Sequence, residues 1–424
     1  MITENNVTPE ALVADFGARA RKAAAKLAVS GALARNSALE NMASALLEHA
    51  DALREANRRD LEAGREAGLT PAMLDRLELN DKRIKGMADG LREVAALPDP
   101  VGEIFEMRTR PNGLRVGRMR MPIGVVGIIY ESRPNVTAEA AALCLKSGNA
   151  CILRGGREAI HSNRAIGEVL RAGLVRAGLN EDCVQLVPTT DRAVVNTLCA
   201  SPKAVDCIVP RGGKGLIEAV MAVARVPVIK HLDGNCHVYI HEKADFEAAE
   251  RIAINSKTHR TGVCNAAETL LLDRALPRDF VAGLLAKLLS LRVELRGCPE
   301  TLAIEPRCKP ATEDDWYAEY LDMILAVKVV DGLEHAIEHI NHYGSHHTEA
   351  IVSQDYSACM HFVRAIDSAC VHVNASTRFS DGGEYGLGCE IGISTDKLHA
   401  RGPMGLAELT TPRWVVLGEG HIRE

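Results

Sequence analysis

The sequence predicts an α/β protein with two parallel-sheet domains of the doubly wound type. Short apolar runs alternate with segments of helical periodicity between residues 124 and 230, and a second alternation follows from 236 to about 375. Continuous apolar strands of this kind are buried on both faces by helices, as in parallel sheets. A length of 424 residues is enough for two or three hydrophobic cores.

Composition argues against several classes of partner. A net charge of −6 gives no general affinity for nucleic acid or anionic membranes, and no apolar run approaches the length of a bilayer span. Twelve cysteines occur without any Cys-x-x-Cys pair, which is typical of a reducing compartment. We therefore expect a cytoplasmic protein that binds neither nucleic acid nor membrane.

The N-terminal region reads as almost entirely helical. Thr8 and Pro9 are a favoured cap and first helical residue, and Asn80 opens a later helix that ends before Pro98. We interpret this region as scaffold. The predicted helices cover 10–27, 33–63 and 80–97.

Residues 108–121 predict a protruding β-hairpin. The turn signal Pro111-Asn112-Gly113 precedes a stretch in which apolar and basic residues alternate, as in a half-exposed strand. A nucleic-acid patch is the alternative, but the ribbon is short and lacks aromatic residues. Because a lone hairpin is marginally stable, we expect it to pair with another subunit, together with a closing strand near 414–417.

The alternation from 124 onwards predicts five strands and four helices. Ligands bind at the carboxyl ends of the strands of such a sheet, where the loops are 131–135, 154–157 and 211–215. The predicted strands cover 124–130, 150–153, 184–187, 205–209 and 228–229, and the predicted helices cover 138–146, 158–177, 193–198 and 216–223.

These loops indicate a phosphorylated dinucleotide. No Gly-x-Gly-x-x-Gly follows the first strand, but the loop after the second strand carries Arg154 and Arg157, which suit the 2′-phosphate of NADP(H). The glycine-rich segment Arg211-Gly212-Gly213-Lys214-Gly215 opens a helix, where backbone N–H groups bind phosphate. Solvated arginines and a plain glycine turn are the alternatives.

In the second region, Cys264 lies on a turn between a helical segment and a short apolar strand. Lys257, His259 and Arg260 precede it, and cationic neighbours favour a thiolate. The alternative is a small buried core residue. The predicted helices cover 246–253, 280–289 and 333–341, and the predicted strands cover 269–272, 323–330, 350–352 and 371–373.

A run of five histidines resembles a metal cluster. His335 and His339 share a helix face, but no carboxylate or cysteine at ligand spacing completes a site around His342, His346 and His347. We predict solvated histidines and no metal.

Six motifs occur in order over nearly the whole chain: Arg133-Pro-Asn-Val-Thr137, Ile152-Leu-Arg-Gly-Gly156, Pro210-Arg-Gly-Gly213, Val263-Cys-Asn265 with Glu268-Thr-Leu-Leu271, Asn374-Ala-Ser-Thr-Arg-Phe379 and His399-Ala-Arg-Gly-Pro-Met-Gly-Leu406. Together they resemble the γ-glutamyl phosphate reductase (glutamate-5-semialdehyde dehydrogenase) family, a branch of the aldehyde dehydrogenase superfamily. The resemblance implies an aldehyde dehydrogenase-like fold with two doubly wound parallel-sheet domains and a small oligomerisation hairpin.

The resemblance also implies a reaction. L-glutamyl 5-phosphate is reduced with NADPH to L-glutamate 5-semialdehyde, with release of phosphate, through a cysteine thioacyl intermediate in proline biosynthesis. Cys264 falls on the family's nucleophile and Asn135 on its oxyanion-hole asparagine. Arg154 takes the place of a cofactor-binding lysine, and Glu319 that of the glutamate that holds the nicotinamide ribose.

One segment departs from the general aldehyde dehydrogenases. Their Glu-Leu-Gly-Gly, whose glutamate activates the hydrolytic water, reads His231-Leu-Asp-Gly234 in this chain. The missing carboxylate agrees with a thioacyl group that exchanges with phosphate instead of water. Arg133, Arg378 and Ser376 are the predicted substrate-binding residues, the two arginines on charge alone.

We expect a cofactor-binding domain over 1–107 and 122–230, a catalytic domain over 231–405, and an oligomerisation element from 108–121 and 406–424. A homodimer or dimer of dimers follows from the resemblance, and glutamate 5-kinase is a possible partner for handover of the labile acyl phosphate. Three other functions stay open: an oxidative aldehyde dehydrogenase acting on another semialdehyde, a cysteine hydrolase or acyltransferase, and an interaction protein without activity.

Overall fold

The structure is a computed structural model that describes residues 8–423. Residues 1–7 and 424, which the predicted domain boundaries include, lie outside the described part. The chain divides into two compact units. The first unit comprises the chain up to Lys230 together with Leu387–Gly392 and the segment from Met404 onwards, and the second comprises His231–Gly386 and Ile393–Pro403.

The helices of the first unit begin where the sequence places caps. The Thr8 hydroxyl accepts a hydrogen bond from Ala11 N–H, and the Asn80 side chain caps the helix predicted after it. The predicted helix 33–63 is in fact two helices, because the backbone of His49 leaves the helical region between them. The helices are α1 (Pro9–Leu27), α2 (Ala32–Glu48), α3 (Ala50–Glu66), α4 (Pro71–Leu77), α5 (Asp81–Ala96), α6 (Asn135–Lys146), α7 (Ile160–Arg176), α8 (Arg192–Cys199) and α9 (Lys214–Val223).

Two sheets belong to the first unit. One is antiparallel and contains β1 (Ile104–Thr109), β2 (Arg115–Pro122) and β16 (Thr410–Leu417), with β2 in the middle. The other is parallel and contains β3 (Val125–Tyr130), β4 (Ala150–Arg154), β5 (Val184–Leu186) and β6 (Cys207–Arg211). Their order across the sheet is β5-β4-β3-β6.

The predicted strand 228–229 is wrong, because only an isolated bridge joins Val228 to Ile208; Pro227 beside it has no N–H to extend the ladder. The predicted hairpin exists, and its strand β2 pairs with the C-terminal strand of the same chain. Whether the resulting sheet also pairs with another subunit stays a prediction.

The second unit is built on a seven-stranded parallel sheet in the order β10-β9-β11-β8-β7-β12-β13. Its strands are β7 (Cys236–Ile240), β8 (Ala267–Asp273), β9 (Glu294–Gly297), β10 (Lys309–Pro310), β11 (Ile324–Val330), β12 (Thr348–Val352) and β13 (Cys370–Val373). A short antiparallel pair, β14 (Ile393–Ser394) and β15 (Gly402–Pro403), lies in the same unit. The helices are α10 (Phe246–Thr258), α11 (Arg278–Ser290), α12 (Pro299–Ile304), α13 (Gly332–Tyr343) and α14 (Tyr356–Ala365).

The strand β7 was not predicted, although it lies between β8 and β12. Its second residue is His237, a polar side chain that interrupts the apolar run. This imidazole is fully buried, and it hydrogen-bonds at 2.9 Å to the carboxylate of Glu349 on the neighbouring strand β12. The hydrogen bond offsets the cost of burying a polar group. Such a pairing between distant segments leaves no periodic signal in either one.

The prediction of an α/β fold with a parallel sheet in each of two units is confirmed. The prediction that the histidine run is solvated is wrong for two of its members. His339 and His347 are buried, and burial lowers the pKa of His339 to about 2 and that of His347 to about 3. Among the described residues, no helix has the length and apolar character needed to cross a bilayer.

Candidate active site

Cys264 lies on the turn between α10 and β8, where the sequence predicted it. The turn is held by short-range hydrogen bonds, from Val263 N–H to the Thr261 carbonyl and from Ala266 N–H to the Val263 carbonyl. Cys264 and Cys389 are the two partly exposed cysteines among the twelve. Cys264 is therefore accessible at the carboxyl end of a helix and the start of a central strand.

The backbone at Cys264 is packed directly against Gly234. A Cβ atom on Gly234 would lie 2.0 Å from the Cys264 carbonyl oxygen and 2.6 Å from its Cα, so only glycine fits. Two residues further on, the Cys236 thiol donates to the same carbonyl oxygen at 3.1 Å. The segment 231–236 is thus fixed against the cysteine turn, and it carries His231.

Two imidazoles lie beside the thiol. A ring nitrogen of His231, a ring nitrogen of His347 and Sγ of Cys264 all lie within 4.8 Å of one another. The two rings contact each other edge to face, with centroids 5.3 Å apart. His347 was noticed in the sequence but was interpreted as a loop histidine, because the sequence alone does not show that β12 begins beside β7.

A cationic side chain also lies within electrostatic range of the cysteine. Arg378 is half-buried; burial, and then the proximity of Arg260, lower the pKa of its guanidinium, while the Cys264 thiol acts in the opposite direction. Its Nε is buried without a hydrogen-bond partner among the described residues. This arrangement provides positive charge for an anionic ligand next to Cys264.

Ser376, the other predicted substrate residue of this segment, is used within the protein. Its hydroxyl lies 3.0 Å from that of Ser256 and accepts the N–H of Arg378 at 3.2 Å. The next residue, Thr377, donates to the carbonyl of Asn265 at 2.7 Å. These bonds tie the Arg378 turn to the residue that follows Cys264, so Ser376 helps to position Arg378.

Lys257 does not supply charge to the cysteine as the sequence suggested. It is fully buried and forms an ion pair with Glu268 at 2.5 Å, so its charge is compensated. Burial lowers the pKa of Lys257 and raises that of Glu268 to about 7. Leu321 N–H also donates to Glu268 at 3.2 Å, which links this pair to the segment that carries Glu319.

Glu319 contacts the same glycine that packs on the cysteine. Its Oε1 accepts the N–H of Gly234 at 2.9 Å. The carboxylate predicted to hold a ribose therefore lies in the second unit, and it bonds the glycine that packs against Cys264.

The first unit contains a cavity of about 1000 Å³ at the carboxyl ends of β3 and β4. Three predicted cofactor residues line it, namely Arg154, Arg157 and Gly215. Arg154 donates to the Thr190 carbonyl at 2.8 Å, while its Nε is buried without a hydrogen-bond partner among the described residues. A half-buried guanidinium with an unpartnered Nε donor beside a large cavity fits an anionic dinucleotide.

The glycine-rich segment is arranged differently from the prediction. Arg211, Gly212 and Gly213 are not among the described residues that line the cavity. The N–H of Gly213 donates to the carboxylate of Glu131 at 3.0 Å, and the Arg211 guanidinium lies beside Gly392. The Glu131 carboxylate thus accepts from a backbone N–H at the start of α9 that was predicted to bind phosphate.

Asn135 is the first residue of α6 in the first unit. Its side-chain amide donates one N–H to Glu139, one turn along the helix, at 2.7 Å. An amide nitrogen carries two donors, so this bond orients Asn135 and leaves it a second N–H. Arg133 is exposed on the loop that precedes the helix.

The aldehyde dehydrogenase family profile matches residues 3–302. The chain belongs to the aldehyde dehydrogenase family. The family resemblance inferred from the six motifs is confirmed, because the γ-glutamyl phosphate reductase of Thermotoga maritima is 46% identical, with a TM-score of 0.95 over 97% of this chain and 100% of that one.

Two further structures widen the comparison. The γ-glutamyl phosphate reductase of Saccharomyces cerevisiae is 30% identical over 97% of this chain and 98% of that one, with a TM-score of 0.54. An engineered glycolyl-CoA reductase with bound NADP⁺ is 16% identical over 96% of each chain, with a TM-score of 0.67, and shares the fold. Members of the aldehyde dehydrogenase family use NAD(P) as their cofactor.

The sequence did not indicate the contacts made by three side chains, namely His347, Cys236 and Glu131. His347 and Cys236 reach Cys264 only through the register of β12, β7 and β8. The contact of Glu131 could have been predicted, because an acidic residue at the end of the first strand can reach the glycine loop after β6.

Gly234→Ala tests the close approach at the cysteine turn. The added methyl group must displace backbone, so we expect a melting temperature lower by several degrees, equivalent to about 1–3 kcal/mol, and a changed alkylation rate of Cys264. Gly262→Ala is the matched control, because a Cβ there has nothing within 4 Å. Equal melting temperatures for the two variants would contradict the packing described.

Proposed function

We propose that this protein is an NADPH-dependent γ-glutamyl phosphate reductase, which reduces L-glutamyl 5-phosphate to L-glutamate 5-semialdehyde with release of phosphate. The observation that carries the proposal is the partly exposed Cys264 on a helix–strand turn, flanked by histidine and arginine, in a chain 46% identical to a reductase of that name. This reaction is the second step of proline biosynthesis from glutamate.

Cys264 is the proposed nucleophile. Its thiol proton passes to His231, and the thiolate attacks the acyl carbon of the substrate; the acyl–oxygen bond breaks and phosphate leaves with its electron pair. His231 suits this task because its Nδ1 lies 3.0 Å from the Ile393 carbonyl, which only accepts, so the neutral ring carries its lone pair on Nε2. The product of this step is a thioester on Cys264.

Asn135 is the proposed donor to the oxyanion that forms during attack and during reduction. The hydrogen bond to Glu139 fixes the orientation of the amide before substrate binds, and a fixed donor costs no reorganisation in the transition state. Such a donor contributes about 10²–10³ to the rate. The backbone N–H of Cys264 is the proposed second donor.

Arg154 and Arg157 are the proposed ligands of the 2′-phosphate of NADPH, and Glu319 the proposed ligand of its nicotinamide ribose. The cavity lining and the spare Nε donor of Arg154 support this assignment. When bound, the cofactor supplies the hydride that reduces the Cys264 thioester. The resulting tetrahedral oxyanion collapses: the carbon–sulfur bond breaks with its electron pair on Sγ, the aldehyde leaves, and the Cys264 thiolate is restored.

Arg378 is the proposed ligand of a substrate anion, supported by its electrostatic interaction with Cys264 and by its buried Nε, which has no hydrogen-bond partner among the described residues. Arg133 stays a candidate for a second substrate contact.

His231 stands where oxidative aldehyde dehydrogenases have the carboxylate that activates water. Without this carboxylate, exchange of the thioacyl group with phosphate is favoured over its hydrolysis.

We also propose a homodimer or dimer of dimers that pairs along β16. This strand lies at the edge of its sheet and exposes Trp414 and Val416, and an uncovered apolar edge favours strand pairing. Multi-angle light scattering tests the assembly: Val416→Pro should shift the mass to that of a monomer, whereas a monomeric wild-type chain would refute the proposal.

Direct handover of the acyl phosphate from glutamate 5-kinase stays a proposal, and cosedimentation of the two proteins tests it.

Cys264→Ser tests the nucleophile. We expect kcat for glutamyl phosphate reduction to fall by ~10³ or more, while NADPH fluorescence titration still shows binding, because the cofactor residues Arg154 and Arg157 lie in the first unit. Cys389→Ser is the control, since burial raises the pKa of this other partly exposed thiol to about 11. Near wild-type turnover by Cys264→Ser would refute the mechanism.

Arg157→Glu tests the choice of cofactor. A negative charge against the 2′-phosphate should weaken NADPH more than NADH, by about 10–150-fold in relative kcat/KM. Arg176→Glu makes the same charge change on the exposed end of α7, outside the cavity lining, and should leave the ratio unchanged. An unchanged ratio in Arg157→Glu would show that this arginine does not read the phosphate.

A further inference from the structure

Two imidazoles and one thiol converge in the second unit from three separate segments. Sγ of Cys264 and one ring nitrogen each of His231 and His347 lie within 4.8 Å of one another. Nitrogen and sulfur donors in this combination are those that Zn²⁺ binds in proteins, with bonds of about 2.0–2.3 Å. A tetrahedral ion with such bonds places its ligands about 3.3–3.6 Å apart, so small side-chain movements would complete the geometry.

The hydrogen bonds of His347 leave a nitrogen lone pair available. Its Nδ1 lies 2.8 Å from the Thr348 hydroxyl, which itself donates to Ser380 at 2.8 Å. The Thr348 oxygen is therefore an acceptor toward the ring, which places the proton on Nδ1 and the lone pair on Nε2. His347 is fully buried, and its Nε2 has no hydrogen-bond partner among the described residues.

The same tautomer holds for His231. The Ile393 carbonyl accepts from Nδ1 at 3.0 Å, so in the neutral ring the lone pair is on Nε2. Hydrogen bonding of the second ring nitrogen to a carbonyl or hydroxyl is the usual way in which a protein orients a metal-binding histidine. Both histidines have this support before any ion binds.

We propose that Cys264, His231 and His347 form a binding site for Zn²⁺ or a similar borderline divalent cation. The ion binds the thiolate and the two Nε2 atoms, a water molecule completes the tetrahedron, and the thiol proton goes to solvent. Cys264 and His231 are partly exposed, which gives the ion a path from solvent.

Binding at this site blocks the sulfur that attacks the substrate. Zn²⁺ therefore acts as a reversible inhibitor of the enzyme, a consequence that rests on the proposed function. The binding itself does not depend on that function, so it is tested without an activity assay.

The test is metal protection of Cys264 in the purified full-length protein after treatment with a chelator. Zinc chloride should slow iodoacetamide alkylation of Cys264, measured by peptide mass spectrometry, by at least about tenfold, and EDTA should restore the rate. His347→Gln should raise the zinc concentration for half-protection by at least about tenfold. His335→Gln, a partly exposed histidine on α13 outside the cluster, should protect like the wild type.

An unchanged alkylation rate with zinc, or equal half-protection in wild type and His347→Gln, would overturn the proposal. If His347→Gln does not fold, His231→Gln takes its place in the same comparison. Co²⁺ gives a second measurement: a sulfur-to-cobalt charge-transfer band should appear with wild type and be absent with Cys264→Ser. Zinc protection in a protein without reductase activity would refute the proposed function alone, and activity without protection would refute the metal site alone.

Discussion

The contact between the backbones of Gly234 and Cys264 is the constraint on which the site in the second unit depends. Without a side chain at position 234, the segment before β7 lies against the cysteine turn. Glu319 and Cys236 then bond to the two sides of this contact, through Gly234 N–H and the Cys264 carbonyl. The position of His231 beside the thiol follows, because only two residues separate it from the glycine.

The charged side chains near Cys264 have two different roles. Lys257 and Glu268 compensate each other beneath the turn, and removal of one partner would leave the other charged and buried, which is strongly destabilising. Arg378, by contrast, is half-buried, interacts electrostatically with Cys264 and has an Nε donor without a partner among the described residues. The buried pair therefore stabilises the turn, while the half-buried arginine is available to a ligand.

The features that depend on neighbouring residues in the sequence were predicted correctly. The alternation of apolar runs and helical segments gave the parallel sheets, and the apolar strand after Cys264 gave its position on a turn. The caps at Thr8 and Asn80 were also correct, because a side chain there satisfies N–H groups three residues away. The motifs added the family and the role of Cys264 as an expectation.

Long-range pairings could not be predicted in this way. The strand β7 is interrupted by His237, whose burial depends on Glu349 more than a hundred residues away. His347 was read as solvated because nothing in its own segment shows that it lies beside Cys264 and His231. The glycine loop at 211–215 looked open to phosphate because Glu131, which accepts from Gly213, lies on a different strand end.

Trapping of the thioester tests most directly whether Cys264 carries the acyl group during turnover. The protein is mixed with L-glutamyl 5-phosphate, generated in place by a kinase, in the absence of NADPH, then quenched in acid and digested for mass spectrometry. We predict a glutamyl adduct on the Cys264 peptide alone, which disappears when NADPH is added before the quench. NADPH oxidation with no adduct on Cys264, or with the adduct on another cysteine, would contradict the account.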